Sequence, residues 1–252
     1  MTRTVRVLRV FTRDGAGGNP LGVHDGIFGD NEMQAVAAEL GYSETVFLGD
    51  PLDGVVPARI FTPSYEMPFA GHPLVGATWH TARPDESVLL GCQVGTVTGR
   101  RAGRDMASID VAFQPTIVTV DPPDGVDSAW IAHMPLEYDV HRLRDPGAVA
   151  SYDLTDRPDH RYVWALGEDG RDDIVRARFF AAGVGVDEDP ATGSAAVALA
   201  AVFRYVGDDS GSVTIHQGAE MGAPCRIDLT WSPTLTTIGG AVIDDGARSV
   251  TS

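Results

Sequence analysis

One strand-to-helix corner occurs twice in this chain, and that repetition constrains the fold more than any other feature. Residues 58–72 read Ala-Arg-Ile-Phe-Thr-Pro-Ser-Tyr-Glu-Met-Pro-Phe-Ala-Gly-His. Residues 177–194 run from Ala-Arg-Phe-Phe through a glycine-containing loop to Glu-Asp-Pro-Ala-Thr-Gly-Ser. Aligned, Glu66 falls on Glu188, Pro68 on Pro190, Gly71 on Gly193 and His72 on Ser194. Each copy passes from an apolar strand through a Pro/Gly turn into a run of small apolar residues that reads as a helix. The copies lie about half the chain apart, which predicts two related halves. Isolated strand-to-helix turns are common, but matched Pro, Gly and acidic positions in both copies make chance the poorer explanation. The first N–H groups of a helix lack partners and carry the positive end of its dipole. Two such starts facing one cleft would grip a small anion.

With 252 residues, the chain can supply two lobes of roughly 120 residues, each with its own core. We set the lobes at 1–115 and 116–252, with the last strand, about 236–252, packing back on the first lobe. The net charge of −16 argues against nucleic acid or an anionic membrane as partner. The longest apolar run, Ala195–Phe203, is too short to span a bilayer. The N-terminus opens directly into a strand-like run without a basic-then-apolar leader, so a cytoplasmic location is expected. Cys92 and Cys225 belong to no CxxC or Cys/His cluster, so neither a disulfide framework nor a metal site is expected. Every one of the 19 basic side chains other than histidine is arginine. Without lysine, pyridoxal phosphate and Schiff-base mechanisms are excluded.

Strands are predicted at Val5–Phe11, Gly22–His24, Ser43–Leu48, Val56–Phe61, Ser87–Val94 and Met106–Phe113. In the second half they are predicted at Arg161–Leu166, Ile174–Phe180, Val213–His216, Cys225–Trp231 and Thr236–Ile243. A helix over Asn31–Leu40 is predicted to be capped by Asp30 and stopped by Gly41. Central helices are predicted from about His72 to Ala82, with Pro73 in the first turn, and over Ser194–Val206. The second is apolar all round and must be enclosed. Gln114-Pro115 and Asp121–Asp127 mark the passage between halves. Residues 128–160 are the least legible; a short helix near Ser128–Met134 and a surface loop over Asp153–His160 are expected. The fold class is therefore α+β: two pseudo-symmetric lobes, each a curled, mostly antiparallel sheet or barrel around a buried helix. A Rossmann sheet is disfavoured, and Gly15–Gly18 is no dinucleotide fingerprint because no helix follows it.

Among candidate functional residues, Glu44 stands at the mouth of an apolar strand. Partial desolvation there would raise its pKa toward the range of a proton carrier. On this segment alone a solvated glutamate is the plainer reading. His72 heads a helix, whose N-terminus disfavours imidazolium and leaves a neutral ring. Asp189 is held extended before Pro190 and can cap the turn or face the cleft. Ser194 has the character of a helix cap with a free hydroxyl. A hydrolase triad from His72, Asp189 and Ser194 is disfavoured, since no Gly-x-Ser-x-Gly elbow exists.

At these residues the sequence resembles the PhzF-like proteins of phenazine biosynthesis, within the diaminopimelate-epimerase fold. The matching segments are Gly18-Asn19-Pro20, Ser43-Glu44-Thr45, Phe61-Thr62-Pro63, Pro68-Phe69-Ala70-Gly71-His72-Pro73, Glu188-Asp189-Pro190-Ala191-Thr192-Gly193-Ser194-Ala195, Gln217-Gly218 and Met221-Gly222. They occur in family order and span nearly the whole chain. The resemblance implies a site between two lobes, no cofactor, a carboxylate-bearing substrate and a homodimer. It also implies that Glu44 moves a proton, as in trans-2,3-dihydro-3-hydroxyanthranilate isomerase, while Gly71, His72, Asp189, Gly193 and Ser194 bind substrate. The sequence departs from the family at Ala223, where an arginine is frequent, and at Ala181-Ala182, where a proline is usual.

Three functions follow. The leading one is a cofactor-independent isomerase with Glu44 as the shuttle. A racemase or epimerase of the same fold is a close rival, but its thiol pair is missing from the matching positions. A ligand-binding protein without catalysis is the third.

Overall fold

The computed structural model describes residues 2–154, 156–184 and 186–251. Thr155 and Gly185, both expected in loops, lie outside the described residues. The architecture is mixed α+β with few helices. The chain forms two compact units, Met1–Asp110 with Gly239–Ser252, and Val111–Ile238.

The first unit contains β1 (Thr2–Thr12), β2 (Asn19–Asp25), α1 (Asp30–Leu40), β3 (Glu44–Leu48), β4 (Val55–Phe61), β5 (Glu66–Met67), α2 (Gly71–Thr81), β6 (Ser87–Cys92), β7 (Gly95–Ala102) and β8 (Met106–Val111). β1 pairs antiparallel with β2, β2 parallel with β3, β3 antiparallel with β4, and β4 parallel with β6. β6, β7 and β8 continue antiparallel. The chain's final strand, running Thr236–Thr251, pairs with both β8 and β1 and so closes a barrel. α2 packs against β1, β2, β3, β4, β6 and β7. It can approach so closely because Gly76 has no side chain: a Cβ there would lie 2.3 Å from Leu21 Cδ2.

The second unit contains β9 (Thr116–Val120), β10 (Ser128–His133), β11 (Glu137–Arg142), α3 (Pro146–Ala150), β12 (Arg161–Leu166), β13 (Ile174–Ala181), β14 (Val186–Asp189), α4 (Gly193–Tyr205), β15 (Gly211–Gln217), β16 (Cys225–Trp231) and the start of that final strand, β17. Its pairings run in the same order as in the first unit. β10 and β11 are antiparallel, β11 and β12 parallel, β12 and β13 antiparallel, β13 and β15 parallel, β15 and β16 antiparallel. α4 is buried from Gly193 through Phe203 and packs against β9, β10, β11 and β16. Five alanines let the surrounding strands approach this helix on every side. Arg204 then ties its last turn to the carbonyls of Ser232 and Leu235 at 2.7 and 2.9 Å, a suitable place for a cation at a helix C-terminus.

α1 and α3 occupy equivalent places in the two chain orders. Met33, Val36, Ala37 and Leu40 of α1 pack with Phe47 and Phe61, while Val149 of α3 packs with Val163 and Phe180. Gly41 stops α1 at φ +67, a conformation costly for residues with a side chain.

Several expectations need correction. Ser128–His133 is a strand paired on both sides, not a helix; its two alanines lend it helical character, but Ala129, Trp130 and Ala132 are all buried in the sheet. Asp30 is the first residue of α1 and not its cap, which is Gly29. β7 was not foreseen because Val97 is its one buried large apolar residue among glycines, threonines and arginines. β9, β11 and α3 were also not foreseen.

The burial of α4 sets a first expectation. Leu199 is fully buried, so Leu199→Ala should destabilise the protein by about 2–5 kcal/mol. Leu52 is 72% exposed, and Leu52→Ala should stay within about 0.5 kcal/mol. Urea denaturation of both variants checks the contrast.

Candidate functional site

Each repeated corner is held by the same ion pair. In the first, Arg59 of β4 reaches Glu66 of β5 through two hydrogen bonds, Nε to Oε1 at 2.7 Å and Nη2 to Oε2 at 2.6 Å. In the second, Arg178 of β13 holds Glu188 of β14 in the same two-pronged way, at 2.8 and 2.9 Å. The guanidinium fork matches a carboxylate in geometry as well as charge. Its hydrogen bonds push Glu66 below the ordinary carboxylate range, and Glu188 raises Arg178 above the usual arginine value. The third prong also recurs: Arg59 reaches Asp30 at 2.7 Å, and Arg178 the Tyr152 carbonyl at 2.9 Å. The aligned Arg and Glu of the sequence repeat are therefore one clip, built twice, just before each central helix.

In the first corner, Glu44 opens β3 with its side chain 15% exposed, which matches the partial desolvation expected at that strand mouth. Its Oε2 lies 3.2 Å from His72 Nδ1. Asn19, fully buried at the start of β2, places Nδ2 3.5 Å from the same ring nitrogen. Ser43 Oγ donates to Asn19 Oδ1 at 3.5 Å. His72 is the second residue of α2, after Gly71, and is buried. Burial lowers its pKa to about 3, and the Pro20 carbonyl opposes this only in part. The ring is neutral, as expected, but burial rather than the helix terminus is the leading cause. A neutral imidazole has one donor and one acceptor nitrogen. Nδ1 can therefore donate to an ionised Glu44 or accept from a protonated one by changing tautomer.

In the second corner, Asp189 is buried at the end of β14, opposite Phe179 of β13. Thr192 Oγ1 donates to its carboxylate at 2.6 Å. Gln217, at the end of β15, donates through Nε2 to the Asp189 carbonyl at 2.7 Å and lies 3.1 Å from Thr192 Oγ1. Gly218 follows with φ +79 and packs against Pro190, where a Cβ would meet the Pro190 oxygen at 2.6 Å. Ser194 does not cap α4. Thr192 holds that position, without a side-chain cap, and Ser194 lies inside the first turn beyond Gly193. Its Oγ accepts from Tyr138 Oη at 2.8 Å.

The structure thus joins Glu44 with His72 and Gly71 in one corner, and Asp189 with Gly193 and Ser194 in the other. Asn19, Ser43, Thr192 and Gln217 lie in the quoted motifs but carry no role from sequence alone. Tyr138 has no signal at all. Cys92 and Cys225 stand on β6 and β16, away from both helix starts in chain order. Among the described residues, no His/Cys/Asp/Glu group could hold a metal ion, and no helix is long and apolar enough to cross a membrane.

Comparison with known proteins agrees with this construction. The family model described as phenazine biosynthesis-like protein (PhzC-PhzF) matches residues 8–141 and 149–242. The chain belongs to this family. An uncharacterized isomerase of Mesorhizobium japonicum is 32% identical over 283 residues, covering 95% of this chain and 92% of that protein. The trans-2,3-dihydro-3-hydroxyanthranilate isomerase of Pseudomonas aeruginosa is 32% identical over 248 residues, covering 88% of this chain and 87% of that one. A PhzF-family crystal structure from Enterococcus faecalis superposes with a TM-score of 0.77 at 18% identity, covering both chains in full. As a member of this family the protein is an isomerase.

Two expectations follow from the corners. The His72 ring signals should show no titration between about pH 5 and 8 by NMR; a midpoint near 6.5 would show that the ring is not desolvated. Because the folded-state value lies below the unfolded one, this group's stability contribution is present above about pH 6.5. It is lost at about 1.4 kcal/mol per pH unit as pH falls toward 3. For the clip, Arg178→Met alone should cost about 2 kcal/mol, since it strands a half-buried carboxylate. Arg178→Met combined with Glu188→Met should cost less than Arg178→Met alone. Denaturation of the single and double variants gives the comparison, and additive losses would deny the clip its role.

Proposed function

We propose that the protein is a cofactor-independent isomerase that moves a proton at carbon in a small carboxylate-bearing metabolite. The relatives named trans-2,3-dihydro-3-hydroxyanthranilate isomerase support this chemistry. The observation that carries it is the pairing of Glu44 with the neutral ring of His72 at 3.2 Å. A shuttle must be stable both with and without its proton, and a neutral imidazole partner suits both states by switching tautomer. A charged partner would instead hold Glu44 ionised and unable to return the proton as an acid.

In this reading the two units are pseudo-symmetric lobes. The N–H groups at Gly71–His72 and Gly193–Ser194 bind the substrate's carboxylate, and Asp189 orients its polar groups. Backbone N–H groups at helix starts supply a local positive field in a protein of net charge −16. Homodimer assembly and a cytoplasmic location belong to the same proposal. A thiol-based racemase finds no support, since the residues at the corners are Glu44, His72, Asp189 and Ser194.

The test is turnover of trans-2,3-dihydro-3-hydroxyanthranilate and a panel of small cyclic and amino carboxylates. Glu44→Gln keeps the shape but cannot take up a proton, so it should bind the active acid and lose kcat by several orders of magnitude. His72→Ala and Asp189→Ala should lose more binding and less chemistry. Near-normal kcat in Glu44→Gln would assign the proton to another group.

A further inference from the structure

We infer that Tyr138 is a positioning residue for the Ser194 hydroxyl and, through it, for the anionic end of the substrate; the inference rests on the isomerase reading above. Tyr138 lies in β11, in the stretch least legible from sequence, and outside every quoted family motif. The residue is 2% exposed, and its ring packs against two others that also touch each other, His160 at 5.3 Å and Phe179 at 5.9 Å between centroids. Phe179 is in turn the cross-strand partner of Asp189. The Tyr138 hydroxyl therefore sits at a fixed point beside the second corner and donates to Ser194 Oγ at 2.8 Å.

The direction of that bond matters. A hydroxyl inside a helix usually returns its proton to a carbonyl one turn back, as Thr78 does to Leu74 at 2.8 Å and Thr81 to Ala77 at 2.7 Å. Ser194 stands in the first turn, where the residue four positions back, Pro190, lies outside the helix. Among the described residues, the hydrogen bond from Tyr138 is the one its Oγ takes part in. Accepting from Tyr138 uses a lone pair and leaves the serine proton to be donated. It also selects one Ser194 rotamer, so that donor is aimed before substrate arrives, which removes an ordering cost from binding. The first corner has a counterpart: Asn19, at the start of β2, approaches His72, the residue aligned with Ser194.

The test is Tyr138→Phe, which keeps the ring and removes the hydroxyl. With the carboxylate that wild type turns over, starting from trans-2,3-dihydro-3-hydroxyanthranilate, KM should rise about fivefold to tenfold, the worth of one hydrogen bond. The kcat should stay within about twofold. In a Ser194→Ala background the same substitution should change KM no further. A merely structural role would lower thermal stability and move KM equally in both backgrounds, and that outcome overturns the inference. Should wild type turn over no such acid, the isomerase reading fails on its own account. The Ser194 rotamer in crystals of wild type and Tyr138→Phe then decides: one rotamer giving way to several supports positioning, and an unchanged single rotamer overturns it.

Discussion

The arginine–glutamate clip is the interaction on which both halves of this molecule depend. A strand that must turn sharply into a buried helix has little local structure to fix its path, since β5 is two residues long and β14 four. Two parallel hydrogen bonds from one guanidinium restrain the departing segment in direction as well as distance, which a lysine ammonium would not do. The third prong ties the same arginine to Asp30 at the start of α1, or to the Tyr152 carbonyl after α3. Strand, turn and outer helix are thereby registered together, and the start of each central helix is placed as a consequence. A chain whose 19 strong bases are all arginine is well supplied for this device.

The electrostatics of the corners follow from that placement. Burial, rather than any nearby cation, keeps His72 neutral, and Asp189 accepts a hydrogen bond from Thr192. The last strong bases before each helix start in sequence, Arg59 and Arg178, are occupied by Glu66 and Glu188. The positive field proposed for substrate binding therefore comes from backbone N–H groups, which carry no proton that could titrate. Such an arrangement leaves the proton chemistry to a carboxyl group and its neutral neighbour.

Much of this was legible in the sequence because the signals were periodic or tied to turns. The repeat announced both corners, the apolar run after Ser194 announced an enclosed helix, and Gly41 announced the stop of α1. Family motifs pointed to Glu44, His72, Asp189 and Ser194. What stayed hidden had a physical reason. β10 reads as helical because alanine fits either state when tertiary contacts decide. β11 alternates charge with Tyr138 and Val140 but is interrupted by the buried His141. Tyr138 meets Ser194 across 56 positions of chain, and no local pattern encodes a contact of that separation. The clip lay in plain view as matched Arg and Glu residues, yet alignment alone does not say that they touch.

The most direct measurement is a crystal structure with anthranilate bound, because it tests where an anion is held without requiring turnover. The account predicts the carboxylate on the N–H groups of a central-helix start, either at Gly71–His72 with the ring within reach of Glu44, or at Gly193–Ser194. Anthranilate found only at surface arginines, with both helix starts empty at saturating concentration, would contradict it.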